Sequence, residues 1–239
     1  MTHSIHARPP GTTPRDAPVL GWDIGGANTK AARIERGDGA PRLRAVSAPL
    51  EMQRHSALLV PTLRRLRGVL GGGTAAHGVT MTAELSQAFR TKREGVGFVL
   101  DAMAEAFPGE VVRVYASSGV FLEPAAARER PLEVAAANWH VAARFVGREV
   151  PECLLVDVGT TTTDVVPIVS GEPATLGRTD PERLVSGELV YTGALRTPVE
   201  SVASAVPLPG GPCPLAPEGF ALMGDVYLWL GALDAGDYT

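Results

Sequence analysis

The sequence predicts an α/β fold built twice, as two lobes of one chain, with the second lobe incomplete at its C-terminal end. Three observations predict it. Strand-like and helix-like segments alternate after an opening run of strands. A strand–turn–strand motif occurs twice, as "LGWDIGGANTKAARI" (20–34) and "LLVDVGTTTTDVVPI" (154–168). The stretch after the second occurrence is too short to repeat all the elements that come after the first. The two copies align without a gap, so Asp23 falls on Asp157, Gly25 on Gly159, Thr29 on Thr163 and Ile34 on Ile168. A supersecondary unit recurring in register is the mark of a duplicated domain.

Taken in order, residues 1–17, "MTHSIHARPPGTTPRDA", are rich in proline, threonine and charge and read as a disordered tail. "VLGWDI" (19–24) reads as a strand ending at Gly25-Gly26, residues 29–35 as its return and 42–48 as a third strand. Residues 54–70 carry leucines at 58, 59, 63, 66 and 70, a helical spacing, and Pro61 places the helix start late. A short strand over 77–82 precedes a helical stretch, 83–107, with a break expected near Gly95 and Gly97. Residues 110–117 form an apolar strand and 131–147 a helix stopped by Gly147. The order β-β-β-α-β-α-β-α combines an antiparallel meander with later parallel strands, which is the order of the ribonuclease-H-like fold. The expected lobes are 18–150 and 151–239. Either the second lobe is reduced, or a C-terminal part lies outside this chain.

Composition narrows the function. The 239 residues are 45% hydrophobic and 20% charged, enough for a sizeable core, and the net charge of -4 gives no general attraction to nucleic acid or anionic membrane. No apolar stretch reaches membrane-spanning length, and the N-terminus lacks the apolar core of a signal peptide. Cys153 and Cys213 stand outside any metal-binding spacing and point to a reducing, cytoplasmic setting. Two of five histidines lie in the tail and none forms a ligand pair, which argues against zinc.

The repeated motif is where the chemistry concentrates. Gly25, Gly26 and Asn28 suit a tight turn after a strand, where positive φ lets backbone amides meet an anion. Gly159 gives the same bend in the second copy, and Thr160, Thr161, Thr162 and Thr163 add hydroxyl donors. Asp23 and Asp157 end apolar strands, where a carboxylate needs a partner; Mg²⁺ held through water between the lobes supplies one while bridging phosphate oxygens. Lys30 would neutralise a phosphate, and Asp164 would join the metal shell or orient a water. Singly, "DIGG" is a β-turn signal and "TTTTDVV" an edge strand. In register at equivalent strand ends, the two favour a diphosphate clamp.

Other candidates carry two readings each. Glu84 sits in the first turn of a helix capped by Thr82, which the helix dipole explains, but it also stands at a strand-to-helix junction where an acid can act. Tyr191, Arg196 and Thr197 in "SGELVYTGALRTPVE" (186–200) suit an acidic substrate, or else belong to an amphipathic element before the proline-rich loop 207–217. Trp139 and His140 read as packing residues in an alanine-rich helix.

The paired motifs resemble the acetate kinase, sugar kinase, Hsp70 and actin superfamily, whose two lobes close on nucleotide phosphates. More narrowly, "LGWDIGGANTKAA", "VTMTAELSQAF" with "KREGVGFVLDA", "VDVGTTTTDVVPI", "SGELVYTGALRTPVE" and "MGDVYLWLG" are similar to the hydantoinase/oxoprolinase-like branch. Within it they resemble the members of methanofuran biosynthesis in tetrahydromethanopterin-linked one-carbon metabolism. The resemblance spans about residues 19–233. It implies a transferase joining an aminomethyl-furan, carried as a diphosphate ester, to the phenol oxygen of γ-glutamyl-tyramine, with release of diphosphate. Asp23, Gly25, Gly26, Asn28, Thr29 and Lys30 would then form the first phosphate motif, and Gly159 to Thr163 the second, flanked by Asp157 and Asp164. Glu84 or Asp164 would take the phenol proton. The implied cofactor is Mg²⁺ and the implied partners are small molecules, with assembly into several copies left open. Members of this branch continue beyond "GDVYLWLG", whereas this chain stops at Thr239. Two other readings stand beside it. An ATP-dependent kinase or hydantoinase/oxoprolinase-like amide hydrolase would need an adenosine-binding glycine pair, and Gly210-Gly211 is the only adjacent pair in the second lobe. A non-enzymatic scaffold would need neither turn.

Overall fold

The computed structural model describes residues 18–35, 41–73, 75–236 and 238; the expected tail, 1–17, lies outside them. The chain divides into two compact units, one through Val141 and one from Ala142. The division falls inside a helix, ahead of the boundary expected at residue 150.

The first unit is organised around a six-stranded sheet of order β3-β2-β1-β4-β5-β6. Its strands are β1 (Val19–Ile24), β2 (Asn28–Glu35), β3 (Arg42–Pro49), β4 (Ala76–Met81), β5 (Val111–Tyr115) and β6 (Phe121–Leu122). β1, β2 and β3 pair antiparallel; β4 and β5 join as parallel strands. This is the expected meander-then-parallel order, with β6 as an added antiparallel edge. Period-two alternation sends Leu20, Trp22 and Ile24 of β1 into the core at 0–2% exposure. Helices supply the other side of that core. After the short α1 (Met52–His55) comes α2 (Leu59–Val69), which presents Leu59, Leu63 and Leu66 with Leu70 just beyond its end, all buried. Pro61 sits in its first turn, where its missing amide costs no helical bond. α3 (Lys92–Ala106) is capped by Thr91 Oγ1, which accepts from Glu94 N, and buries Val96, Val99, Leu100 and Met103. Each such aliphatic side chain contributes about 1.5–3 kcal/mol on burial.

Two expected features differ. Gly95 and Gly97 lie inside α3 rather than breaking it; the interruption is at 86–91, after a 3₁₀ turn over Ala83–Leu85. Gly95 is there because a Cβ would come within 2.6 Å of Glu84 Cα. The helix expected over 131–147 is broken. After α4 (Pro124–Glu129), α5 (Pro131–Val134) ends and α6 (Asn138–Gly147) begins, with Ala136 between them at φ 50°. The amide of Ala136 donates to Glu84 Oε1 at 2.8 Å, so a buried carboxylate holds the chain in a conformation alanine seldom adopts.

Trp22 and His77 anchor the far end of the sheet. Trp22 Nε1 donates to His77 Nδ1 at 2.9 Å, which fixes the ring proton on Nε2, facing Glu110 at 2.9 Å. Burial lowers the His77 pKa, against the opposing pull of Glu110. The sheet face opposite the helices, carrying Gly21, Asp23, Lys30 and Thr80, lines a groove of about 650 Å³.

The second unit is smaller. After α6, β7 (Cys153–Val158) and β8 (Thr163–Val169) form a hairpin, and β9 (Glu172–Pro173) returns on β8 through Ser170 and Gly171, both at positive φ. α7 (Asp180–Ser186) leads to β10 (Leu189–Val190), giving the order β10-β8-β7 with β7 outermost. A hairpin of β11 (Ala205–Leu208) and β12 (Gly211–Pro214) and a final α8 (Met223–Trp229) complete it. Trp229, on α8, is 91% exposed, whereas Trp22 and Trp139 are buried.

Candidate functional site

The two copies of the motif fold into the same turn. Gly25 N donates to Asn28 O at 2.9 Å, and Gly159 N donates to Thr162 O at 2.8 Å, at equivalent positions of the repeat. In both, the turn's carbonyls are tied from behind. Met52 N bonds Gly26 O and Leu50 N bonds Ala27 O; Ala194 N bonds Gly159 O, and Leu195 and Arg196 N bond Thr160 O. With the carbonyls engaged, the outward side of each turn carries amides. Among the described residues none of Gly26, Ala27, Thr160 and Thr161 donates its backbone amide to a protein acceptor. Such amides suit an anion.

The glycines are needed for a reason other than the one expected. None of Gly25, Gly26 and Gly159 adopts positive φ. A Cβ on Gly25 would lie 2.8 Å from Asn28 O, and on Gly159 3.1 Å from Thr162 O. The turns close tightly at these two positions, whereas a Cβ on Gly26 would meet nothing within 4 Å. Gly193 is tighter still, 2.6 Å from the Thr161 backbone, because the 193–196 loop braces the threonine turn.

The named side chains sort accordingly. Asp23 and Lys30 are cross-strand partners in a 3.4 Å ion pair at the end of the groove, and Asn28 opens β2. Thr29 is wholly buried. Thr160, Thr161 and Thr162 line the second turn, while the Thr163 hydroxyl donates to Thr192 O at 2.6 Å. Asp157 and Asp164 face each other across β7 and β8. Glu84 is 2% exposed in the 3₁₀ turn that follows β4, bonded to Ala136. Thr197 is also buried: its Oγ1 accepts from Gly193 N and donates to Gly193 O, so it braces the loop. Tyr191 and Arg196 are exposed. Gly210 lies in the turn of the β11–β12 hairpin and Gly211 opens β12, both at positive φ.

Sequence reasoning missed Arg183 and Glu188. Arg183 is 1% exposed, its Nη1 donates to Asp164 Oδ1 at 2.8 Å, and its Nη2 donates to Glu188 O at 2.9 Å. Burial raises the Asp164 pKa; Arg183 opposes this, and the negative charges of Asp157 and Asp180 reinforce it. Burial also pushes Glu188 up, but amides of Gly177 and Leu176 with the Ser186 hydroxyl prevail and hold it below the usual range. The signal was present in "TDPERLVSG". Thr179 and Glu182 form a capping box, Pro181 stands at the helix start, and Gly187 closes the helix at φ 77°.

Among the described residues no three His, Cys, Asp or Glu side chains gather to hold a metal. Asp23 and Asp157 each offer one carboxylate beside a row of amides. That donor set fits a Mg²⁺ ion that keeps its waters and takes its remaining ligands from a phosphate. No helix among those residues is long and apolar enough to cross a membrane.

Residues 75–239 match the hydantoinase/oxoprolinase family. The chain is 36% identical over 222 residues to the (4-{4-[2-(γ-L-glutamylamino)ethyl]phenoxymethyl}furan-2-yl)methanamine synthase of Methanocaldococcus jannaschii, a match covering 92% of this chain and 64% of that protein. It is 40% identical over 98 residues to the synthase of the same name from Methanococcus vannielii, covering 41% of this chain and 44% of that one. The chain thus spans less than two thirds of the length of either relative. Among solved structures, an Aquifex aeolicus member of the Ppx/GppA family aligns at TM-score 0.42 and 15% identity, over 66% of this chain and 49% of that one. The ethanolamine utilization protein EutJ of Carboxydothermus hydrogenoformans aligns at 0.42 and 13%, over 70% and 52%.

Proposed function

We propose that this chain, which belongs to the hydantoinase/oxoprolinase family, is a transferase of methanofuran biosynthesis that forms a furanylmethyl aryl ether and releases diphosphate. The observation that carries the proposal is its identity, over 92% of its length, with a synthase whose named product contains that ether. The two tight turns support it, since each presents amides and an acidic residue of the kind a diphosphate and its counter-ion require. The substrates are an aminomethyl-furan-methyl diphosphate and γ-glutamyl-tyramine.

The bond that breaks joins the furan methylene carbon to the diphosphate oxygen, and the bond that forms joins that carbon to the phenol oxygen. The furan ring oxygen stabilises the cationic carbon, so the protein's main task is to stabilise charge on the departing diphosphate. The groups suited to that charge are, in the first unit, the amides of Gly26 and Ala27 with Lys30 and, in the second, the amides and hydroxyls of Thr160 and Thr161. Mg²⁺ beside Asp23 or Asp157 would neutralise further charge on that leaving group. The phenol proton leaves to Asp164, a carboxylate with 14% side-chain exposure and a raised pKa. Glu84, buried and bonded to the Ala136 amide, holds the link between α5 and α6 against the turn that follows β4. Tyr191 and Arg196, both exposed, are the side chains we assign to the glutamyl end.

Diphosphate release from the two substrates, with and without Mg²⁺ and beside an ATP control, tests the reading. Mg²⁺-dependent release without ATP consumption is the expected result. ATP hydrolysis in step with product, or no release even when the uncovered third of the methanogen relative is joined to the chain, overturns it.

A further inference from the structure

The two turns are built alike but furnished differently. In the second, Thr160, Thr161 and Thr162 bring hydroxyls to the turn itself; in the first, Gly25, Gly26, Ala27 and Asn28 bring none. A hydroxyl reaches the first turn from the end of β4 instead. There the chain is tied to the end of β1, with Thr82 N donating to Ile24 O at 2.9 Å. This sets the Thr82 side chain beside Gly25: a Cβ on that glycine would meet Thr82 Oγ1 at 3.5 Å. Thr82 opens the 3₁₀ turn over Ala83–Leu85, yet its side chain makes no cap hydrogen bond. Its hydroxyl has no protein partner among the described residues, and Thr82 is half-buried rather than sealed in. Two residues earlier, Thr80 lies beside Asp23 across the parallel pair and lines the groove with it. Thr80 Oγ1 is buried and likewise has no partner among those residues. Polar groups in native interiors are ordinarily hydrogen-bonded. Two unused hydroxyls on the side of β4 that borders Asp23 and Gly25 therefore point to a ligand.

We infer that Thr82 is a diphosphate-binding residue of the first unit, its hydroxyl donating to the same anion that the Gly26 and Ala27 amides meet. The inference rests on the proposed function in taking diphosphate as that anion. It gives the first unit the same three kinds of group as the second: a strand-end acid, a row of amides and a hydroxyl. The second unit draws all three from one hairpin, whereas the first draws the hydroxyl from the strand that follows. The structural reading of Thr82 was the cap of a helical turn, and that bond is not made. What remains for a structural role is shape alone, which valine would supply equally well. A hydroxyl is required at this place only if something outside the chain accepts its proton.

Inorganic diphosphate, titrated with Mg²⁺ into the isotope-labelled chain, decides it. The amide resonances of Gly26 and Ala27 are followed by NMR, with those of Thr160 and Thr161 recorded alongside. T82V should weaken binding at the first turn by about tenfold or more, the loss expected for a hydrogen bond to a charged group. T82S keeps the donor and should bind within about threefold of the unsubstituted chain. The amides of Leu20 and Trp22, buried in β1, report that each variant is folded. Binding at the first turn that T82V leaves intact overturns the inference, and so does equal weakening by T82S and T82V, since shape and not the hydroxyl then matters. Both results leave the diphosphate reading standing. Silence of Gly26 and Ala27 in the unsubstituted chain also overturns the inference, and silence at both turns overturns the diphosphate reading with it.

Discussion

The two hairpins share a turn and differ in the charge set across from the strand-end acid. In the first, Asp23 faces Lys30; in the second, Asp157 faces Asp164 at the equivalent position. The first hairpin satisfies its own acid with a neighbour on the next strand. Like charges directly opposite on a sheet are destabilising, so the second hairpin draws in a buried arginine from α7, 19 residues beyond Asp164. For the charge at the strand end, one copy is served by its own hairpin and the other by more distant chain. Duplication has conserved the turn, while the electrical surroundings diverged.

The largest effect should come from removing Arg183. R183M leaves Asp164 partly buried with Asp157 beside it and no guanidinium. Breaking a buried pair from one side costs about 3–5 kcal/mol. Denaturant unfolding should show that loss in the second unit alone, with D164N/R183M recovering much of it. If R183M unfolds both units together, the second unit is not a separate folding body.

Next come the glycines, where the two copies should rank by closeness. G193A, whose Cβ would meet the Thr161 backbone at 2.6 Å, should cost most; G25A, at 2.8 Å, should come second; G159A, at 3.1 Å, should cost least. Overpacking of this kind costs typically about 1–3 kcal/mol. A reversed order in thermal unfolding would mean that the loops relax freely.

The pH response should distinguish two acids of one network. Asp164 has a folded pKa above its ordinary value. The folded state therefore binds the extra proton, and the stability this group confers is lost as pH rises through the raised value. Glu188 is depressed, so its contribution is present above the ordinary glutamate range and is lost as pH falls through the depressed value. D164N should remove the first dependence and E188Q the second. If Asp164 takes the phenol proton, the rate should rise with pH along a limb that lies above the ordinary aspartate range, and that limb should vanish in D164N.

Smallest in stability should be K30M, because the Lys30 and Asp23 side chains are 62% and 33% exposed and such pairs contribute about 0–1 kcal/mol. Its consequence should instead be weaker diphosphate binding, read by calorimetry. A large stability loss would show that the first hairpin is less self-sufficient than its geometry indicates.

Legibility in the sequence divides along the same line. The hairpins and the first sheet could be read because alternation, a closing glycine and a leucine stripe are local signals. The break at Ala136 could not, because its cause is a hydrogen bond to Glu84, 52 residues away. Gly95 suggested a helix break on propensity, yet it marks a close crossing with Glu84. Thr29 and Thr197 have suitable chemistry for phosphate or substrate, but strand parity sends one into the core and a loop closure engages the other. Arg183 stands among other charges in "GRTDPERLVSG" and escaped notice there. Only the capping signals around it indicated a helix, and none indicated which face it would bury.

The placement of the tryptophans gives the molecule two separate optical reporters. Trp22 and Trp139 are sealed in the first unit, while Trp229 stands in solvent on the last helix. Acrylamide should quench the red-emitting fraction from Trp229 and leave the blue fraction nearly intact. Burial lowers the pKa of His77, next to Trp22, so any dimming of the blue signal by a protonated imidazole there should come at lower pH than for an ordinary histidine. A single emission spectrum can then be resolved into its two halves, each timing the melting of a different part of the chain.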